Sequence, residues 1–84
     1  MNDSITKQIS IARSAYYSLG TRLWFVLQDN EGNRYQRWSF DMDSTDECLM
    51  LIQPKDIVNI TYCPQYFYAT GTLQKNVLTT VEFQ

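Results

Sequence analysis

The side chains best equipped for chemistry in this chain are arginines interleaved with aromatic rings. Arg22, Trp24, Arg34, Tyr35, Arg37 and Trp38 fall close together. Guanidinium groups pair with phosphates and rings stack on bases, so this mixture points to recognition of a nucleic-acid strand. Reaction chemistry has less support. The chain has no histidine, which removes the commonest general base and the side chain that titrates nearest neutrality. Ser-His-Asp and Cys-His nucleophiles are thereby excluded. No residue stands out as catalytic, and the expectation is a binding protein that is not an enzyme. Cys48 and Cys63 form no CxxC pair, and four zinc ligands cannot be assembled from them without histidine. Two reduced, half-buried thiols are expected, although one disulfide is arithmetically open. Asp41, Asp43 and Asp46 lack the spacing of a calcium loop. Neither a metal nor a cofactor is expected.

The 84 residues suffice for one compact domain, 1–84, that buries ~60–65% of its unfolded surface. The apolar share of 44% can supply that core. No apolar run approaches the ~20 residues of a membrane helix, and the N-terminus does not read as a signal peptide. A cytoplasmic protein without membrane contact is the expectation. The net charge of −2 and the pI near 4.8 argue against a strongly cationic duplex-DNA binder. The charges are unevenly placed, however. Lys7, Arg13, Arg22, Arg34 and Arg37 lie in the first half, and Asp41, Asp43, Asp46, Glu47 and Asp56 follow. A basic face and an acidic face can hide behind a near-neutral total.

The elements that must position these groups read mostly as strands. Residues 5–18 read as a long strand, with Ile5, Ile9 and Ile11 on one parity and Lys7 interrupting it. A helix over residues 4–19 also fits, since Ile5, Ile9, Ala12 and Tyr16 follow a 3.6 period. Arg22–Gln28, a turn around Asp29–Asn33 and Arg34–Phe40 form a β-hairpin, with Gly32 available for a positive φ. Ser44 and Glu47 make a capping box for a short helix that ends before Pro54. Ile57–Tyr62 is the next strand, residues 64–71 a loop, and Val77–Phe83 the last strand, with Val77, Val81 and Phe83 on one side.

Three strands, a short helix and two more strands is the order of a five-stranded oligonucleotide/oligosaccharide-binding (OB) barrel. The chain resembles that superfamily along nearly its whole length. Leu27–Asn33 is similar to the hairpin between its second and third strands, and Pro54–Val58 to the turn into its fourth. The competing architecture is α+β, with an N-terminal helix packed on an antiparallel sheet.

In the hairpin, pairing Asp29 with Arg34 puts Leu27 opposite Gln36, Phe25 opposite Trp38 and Leu23 opposite Phe40 on a core face. Arg22, Trp24, Val26, Gln28, Tyr35, Arg37 and Ser39 then face outward. A slip of one residue exchanges the faces of one strand and sets Trp38 beside Trp24. The OB resemblance implies that the outer face of the second and third strands binds the ligand. Trp24, Tyr35 and Arg37 would carry it, with Arg22 and Arg34 as phosphate contacts. The aromatic segment Tyr62–Tyr68 corresponds to a second common contact, adding Tyr66 and Tyr68. Each of these rings could instead be core or edge packing, and each arginine a solvated surface charge.

The leading expectation is a protein that binds single-stranded DNA or RNA, an accessory factor of a phage or mobile element. Dimerisation through a strand edge would lengthen its short footprint. The alternative is a protein-interaction module or an inhibitor of a host enzyme. Gln28–Tyr35, the acid-capped helix and the strand from Ile57 also resemble small phage proteins that block uracil-DNA glycosylase by imitating DNA. Those act as dimers with acidic faces and carry an aromatic where this chain has Glu47. A barrel that binds a sugar or peptide would use the same platform.

Overall fold

Among the described residues, the chain runs β1 (Ile5–Leu19), β2 (Arg22–Asp29), β3 (Arg34–Ser39), α1 (Ser44–Leu51), β4 (Ile57–Tyr66) and β5 (Leu73–Phe83). The computed structural model describes residues 4–39 and 41–84. The first three residues, and Phe40 with its expected pairing to Leu23, lie outside this set. The strands close into a barrel in the order β1-β2-β3-β5-β4, and β4 pairs back onto β1. The N-terminal segment is therefore strand and not helix. Its isoleucines favour a pleated surface, and it serves two neighbours in turn. Ile5–Ser10 pair with β4 and Ile11–Leu19 with β2, with a bulge between Ile11 and Arg13 where the strand bends. β3 and β5 close the barrel in parallel at Gln36 and Val77.

Alternation sends Ile9, Ile11, Phe25, Leu27, Tyr35, Val58, Ile60, Tyr62, Leu78 and Val81 into one core, with Leu49 and Ile52 from the helix side. Lys7 interrupts the β1 pattern without breaking the core. Its ammonium lies 5.8 Å from the Tyr35 ring centre and 5.5 Å from that of Tyr62, a cation–π arrangement that leaves the head half in solvent.

The β2–β3 register is one residue away from the expected pairing. Gln28 faces Arg34, Leu27 faces Tyr35, Phe25 faces Arg37 and Trp24 faces Trp38. The cause lies in the turn. The Asp29 N–H donates to the Asn33 carbonyl at 3.0 Å, and the Asp29 carboxylate accepts from the N–H groups of Glu31 and Asn33. Asn30, Glu31 and Gly32 thus make a three-residue loop, with Gly32 at φ 88°. The Tyr35 hydroxyl donates to the same carboxylate at 2.9 Å from inside the barrel. Burial pushes the Asp29 carboxyl up, but the donors from Tyr35, Asn33 and Glu31 outweigh it and hold it below its ordinary value. Burial pushes the Tyr35 hydroxyl up to about 12, so it stays a donor.

The helix begins one residue earlier than Ser44 and Glu47 suggest. Asp43 is the N-cap, its carboxylate accepting from the Asp46 N–H while Asp46 accepts from the Asp43 N–H. Asp46 is completely buried and also accepts from Ser39 and from Arg37 Nε at 2.9 Å. Burial alone would raise its carboxyl; the Ser39 and Arg37 donors reverse this and hold it low.

The β4–β5 hairpin is longer than expected. β4 continues through Pro64 to Tyr66, and β5 starts at Leu73. Among the described residues, this end of β4 lies beyond the pairing with β1 and has β5 as its one partner, a position where proline is tolerated. A register shift sets Thr61 against Thr80 but Tyr62 against Leu78. The extra residue changes the parity of β5. Leu78 and Val81 point inward and Val77 outward, so Val77 and Val81 do not share a face.

The turn and the helix cap can each be tested by substitution. No atom lies within 4 Å of where a Gly32 side chain would begin, so the cost of Gly32→Ala is conformational alone. Urea unfolding should show a loss of about 1 kcal/mol. Asp46→Asn leaves the Arg37 guanidinium facing a neutral amide and should cost about 2–3 kcal/mol. Asp43→Asn, which still caps the helix, should cost less than about 1 kcal/mol. Asp29 and Asp46 both titrate below their unfolded values, so they contribute stability above the ordinary carboxylate pKa of ~3.9, lost as pH falls through the folded values. Thermal melts should therefore hold level at neutral pH and fall in acid, and Asp46→Asn should flatten that acid limb.

Candidate nucleic-acid interface

The one-residue shift redistributes the residues expected to form a binding face. Tyr35 is 1% exposed and belongs to the core, which corrects its expected place on the surface. Arg37 also points inward. Its Nε reaches Asp46 at 2.9 Å and its Nη2 reaches Asp43 at 2.8 Å, while Nη1 donates to the carbonyls of Leu78 and Thr79 at the β5 bulge. This guanidinium locks helix to barrel and is already fully engaged. Ser39, expected outside, is buried. Trp38, expected in the core, is 42% exposed. Its ring centre lies 4.6 Å from that of Trp24 at an interplanar angle of 52°.

The outward residues form rows that cross the strands. Tyr17 faces Trp24 and Trp24 faces Trp38, giving an aromatic row over β1, β2 and β3. Ala15, Val26, Gln36 and Val77 make a low, mostly uncharged row beside it. Arg13, Gln28 and Arg34 form the next, and Lys75, two residues before Val77, stands beside Arg34 across the parallel pairing. Arg22 begins β2 and is exposed. Tyr66 ends β4, and Tyr68 lies in the following loop. Both are exposed, as is Phe67 between them. That loop is held by its own backbone bonds, Phe67 N–H to Thr72 O and Gly71 N–H to Phe67 O.

Three shallow grooves join these rows. One of about 300 Å³ lies between Trp24, Trp38, Gln36, Gln65 and Lys75. One of about 470 Å³ runs past Val26, Arg34, Gln36, Leu73 and Lys75. One of about 270 Å³ lies between Arg13, Tyr17, Val26 and Arg34. Shared linings make them a continuous track.

Charge is segregated around this track. Among the described residues, the side chains of Arg13, Arg34 and Lys75 have no ion pair or hydrogen bond. No carboxylate lies in any of the three rows. Asp29 and Asp46 are buried, Asp43 is bound to Arg37, and the Asp56 carboxylate accepts from the Gln53 N–H. Unpaired cations beside exposed rings can hold an anion and stack a planar group at the same time.

Sequence reasoning thus reached Trp24 and Arg34 on this face but missed Tyr17, Trp38, Arg13 and Lys75. The missed signal was Gly32: a glycine third in the turn favours a three-residue loop with a left-handed last residue, which fixes the other register. Both cysteines are free and half-buried. Among the described residues, no group of three or more His, Cys, Asp or Glu side chains could hold a metal ion, and no helix is long and apolar enough to cross a membrane. In comparisons with known proteins, no protein-family model matches the chain and no curated protein sequence matches it.

Proposed function

We propose that the chain is a small member of the OB superfamily that binds single-stranded nucleic acid on the outer face of β1, β2 and β3. The strand order, the parallel closure of β3 on β5 and the helix between β3 and β4 support the superfamily. One observation carries the functional reading. The outward row of exposed Tyr17, half-buried Trp24 and exposed Trp38 runs beside Arg13, Arg34 and Lys75, which among the described residues are unpaired and have no carboxylate in their rows. Every base has a π-face, so such a row is tolerant of sequence, while the cations follow the backbone. The overall charge of −2 does not oppose this, because among the described residues no carboxylate falls in the three rows. A protein partner is the second reading. It is favoured by the exposed Tyr66–Phe67–Tyr68 tip, since rings of this kind anchor interfaces.

Titration of dT oligonucleotides, followed by quenching of tryptophan fluorescence, tests the proposal. Saturable binding is expected. Trp24→Ala and Trp38→Ala should each weaken it by about 1–3 kcal/mol. Three phosphate-binding cations give a shallow salt dependence, a slope of about −2 in log–log form. Tyr35→Phe should lower stability by about 1–2 kcal/mol through the lost Asp29 bond, leaving the dissociation constant unchanged. Absence of binding at low salt, with a defined protein captured through the Tyr66–Tyr68 tip, would establish the second reading instead.

A further inference from the structure

We infer that the groove between Arg13 and Arg34 is an end pocket that takes the terminal phosphate monoester of a single strand laid across the sheet. This inference rests on the nucleic-acid reading above and adds a specificity to it. Arg13 faces Gln28, and Gln28 faces Arg34. The two guanidiniums therefore rise from the strands on either side of β2, with bases about 10 Å apart. Ala15 and Val26, paired across the floor, leave space between them, and Tyr17 stands as one wall. The groove of about 270 Å³ lies at the small end of ligand pockets, a size for one terminal unit and not for a run of bases.

Two features make the end of a strand the fitting occupant. The first is the charge. Among the described residues, neither arginine has a protein partner and no carboxylate lines the groove, so both guanidiniums are open to an anion placed between them. An internal phosphodiester brings one negative charge. A terminal monoester brings close to two at neutral pH, with three acceptor oxygens, which suits two guanidinium forks. The second is the position. From Arg13 to Leu19, β1 pairs with β2 alone, having parted from β4 after Ser10. A strand that crosses β3 and β2 leaves the sheet at this groove.

The test is competition among unphosphorylated, 5′-phosphorylated and 3′-phosphorylated dT oligonucleotides for the intact protein. One phosphorylated form should bind about tenfold more tightly than the unphosphorylated strand, and which form does so gives the polarity of the bound strand. The ratio should fall toward one between about pH 7.5 and pH 5.5, as the monoester takes up its second proton. Arg13→Gln should abolish the ratio. Lys55→Gln, which removes a cation outside the face, should retain it. Equal binding of all three oligonucleotides, a preference that survives Arg13→Gln, or its equal loss in Lys55→Gln would overturn the end pocket while leaving single-strand binding in place. Failure of all three to bind would overturn both.

Discussion

The Asp29 carboxylate collects the N–H groups of Glu31 and Asn33 and the hydroxyl of Tyr35, and the placement of every side chain on β3 depends on it. These donors close the turn as a three-residue loop. In a strand with a side-chain period of two, that decides which half of β3 is buried. Tyr35 and Arg37 go inside; Arg34, Gln36 and Trp38 go outside. The Tyr35 hydroxyl ties the turn to the core, so the loop conformation and the barrel packing select the same register.

From that register follows the division of labour among the basic residues. Arg37, turned inward, meets Asp43 and Asp46 and the carbonyls at the β5 bulge, and fastens the helix over the barrel. The acidic segment before the helix is largely explained by this contact and by capping, with no external partner required. Arg13, Arg34 and Lys75, turned outward, have no such partners among the described residues. A chain with a modest net negative charge thereby carries a face whose charged side chains, among the described residues of its rows, are all basic. Local potential, not total charge, governs which ligands such a face attracts.

Much of this architecture was legible in the amino-acid order. The isoleucine alternation of β1, the turn residues after Asp29 and the acid-capped helix before Pro54 gave the number and sequence of elements, and hence the closed barrel. Registers were harder to read. Alternation in Arg34–Ser39 fits either face, because Tyr35, Arg37 and Trp38 are all amphipathic and can each be buried or exposed. Only the hydrogen bonds of the turn break the tie. Likewise the β5 bulge, which separates Val77 from Val81, leaves no mark in composition. The strand through Pro64 was hidden because proline reads as a breaker unless the pairing of that end of the strand is known.

The opposite face of the barrel provides a built-in comparison. There Thr6 and Thr61 share a hydroxyl hydrogen bond beside Gln8 and Asn59, without exposed tryptophan or arginine. Mapping amide and indole chemical shifts during addition of a dT oligonucleotide therefore tells the two faces apart. The largest changes should fall on the indole N–H groups of Trp24 and Trp38 and on the amides of Arg34, Gln36 and Lys75. Changes concentrated on Thr6, Asn59 and Thr61, or none at saturating oligonucleotide, would contradict binding on the outer face of β1, β2 and β3.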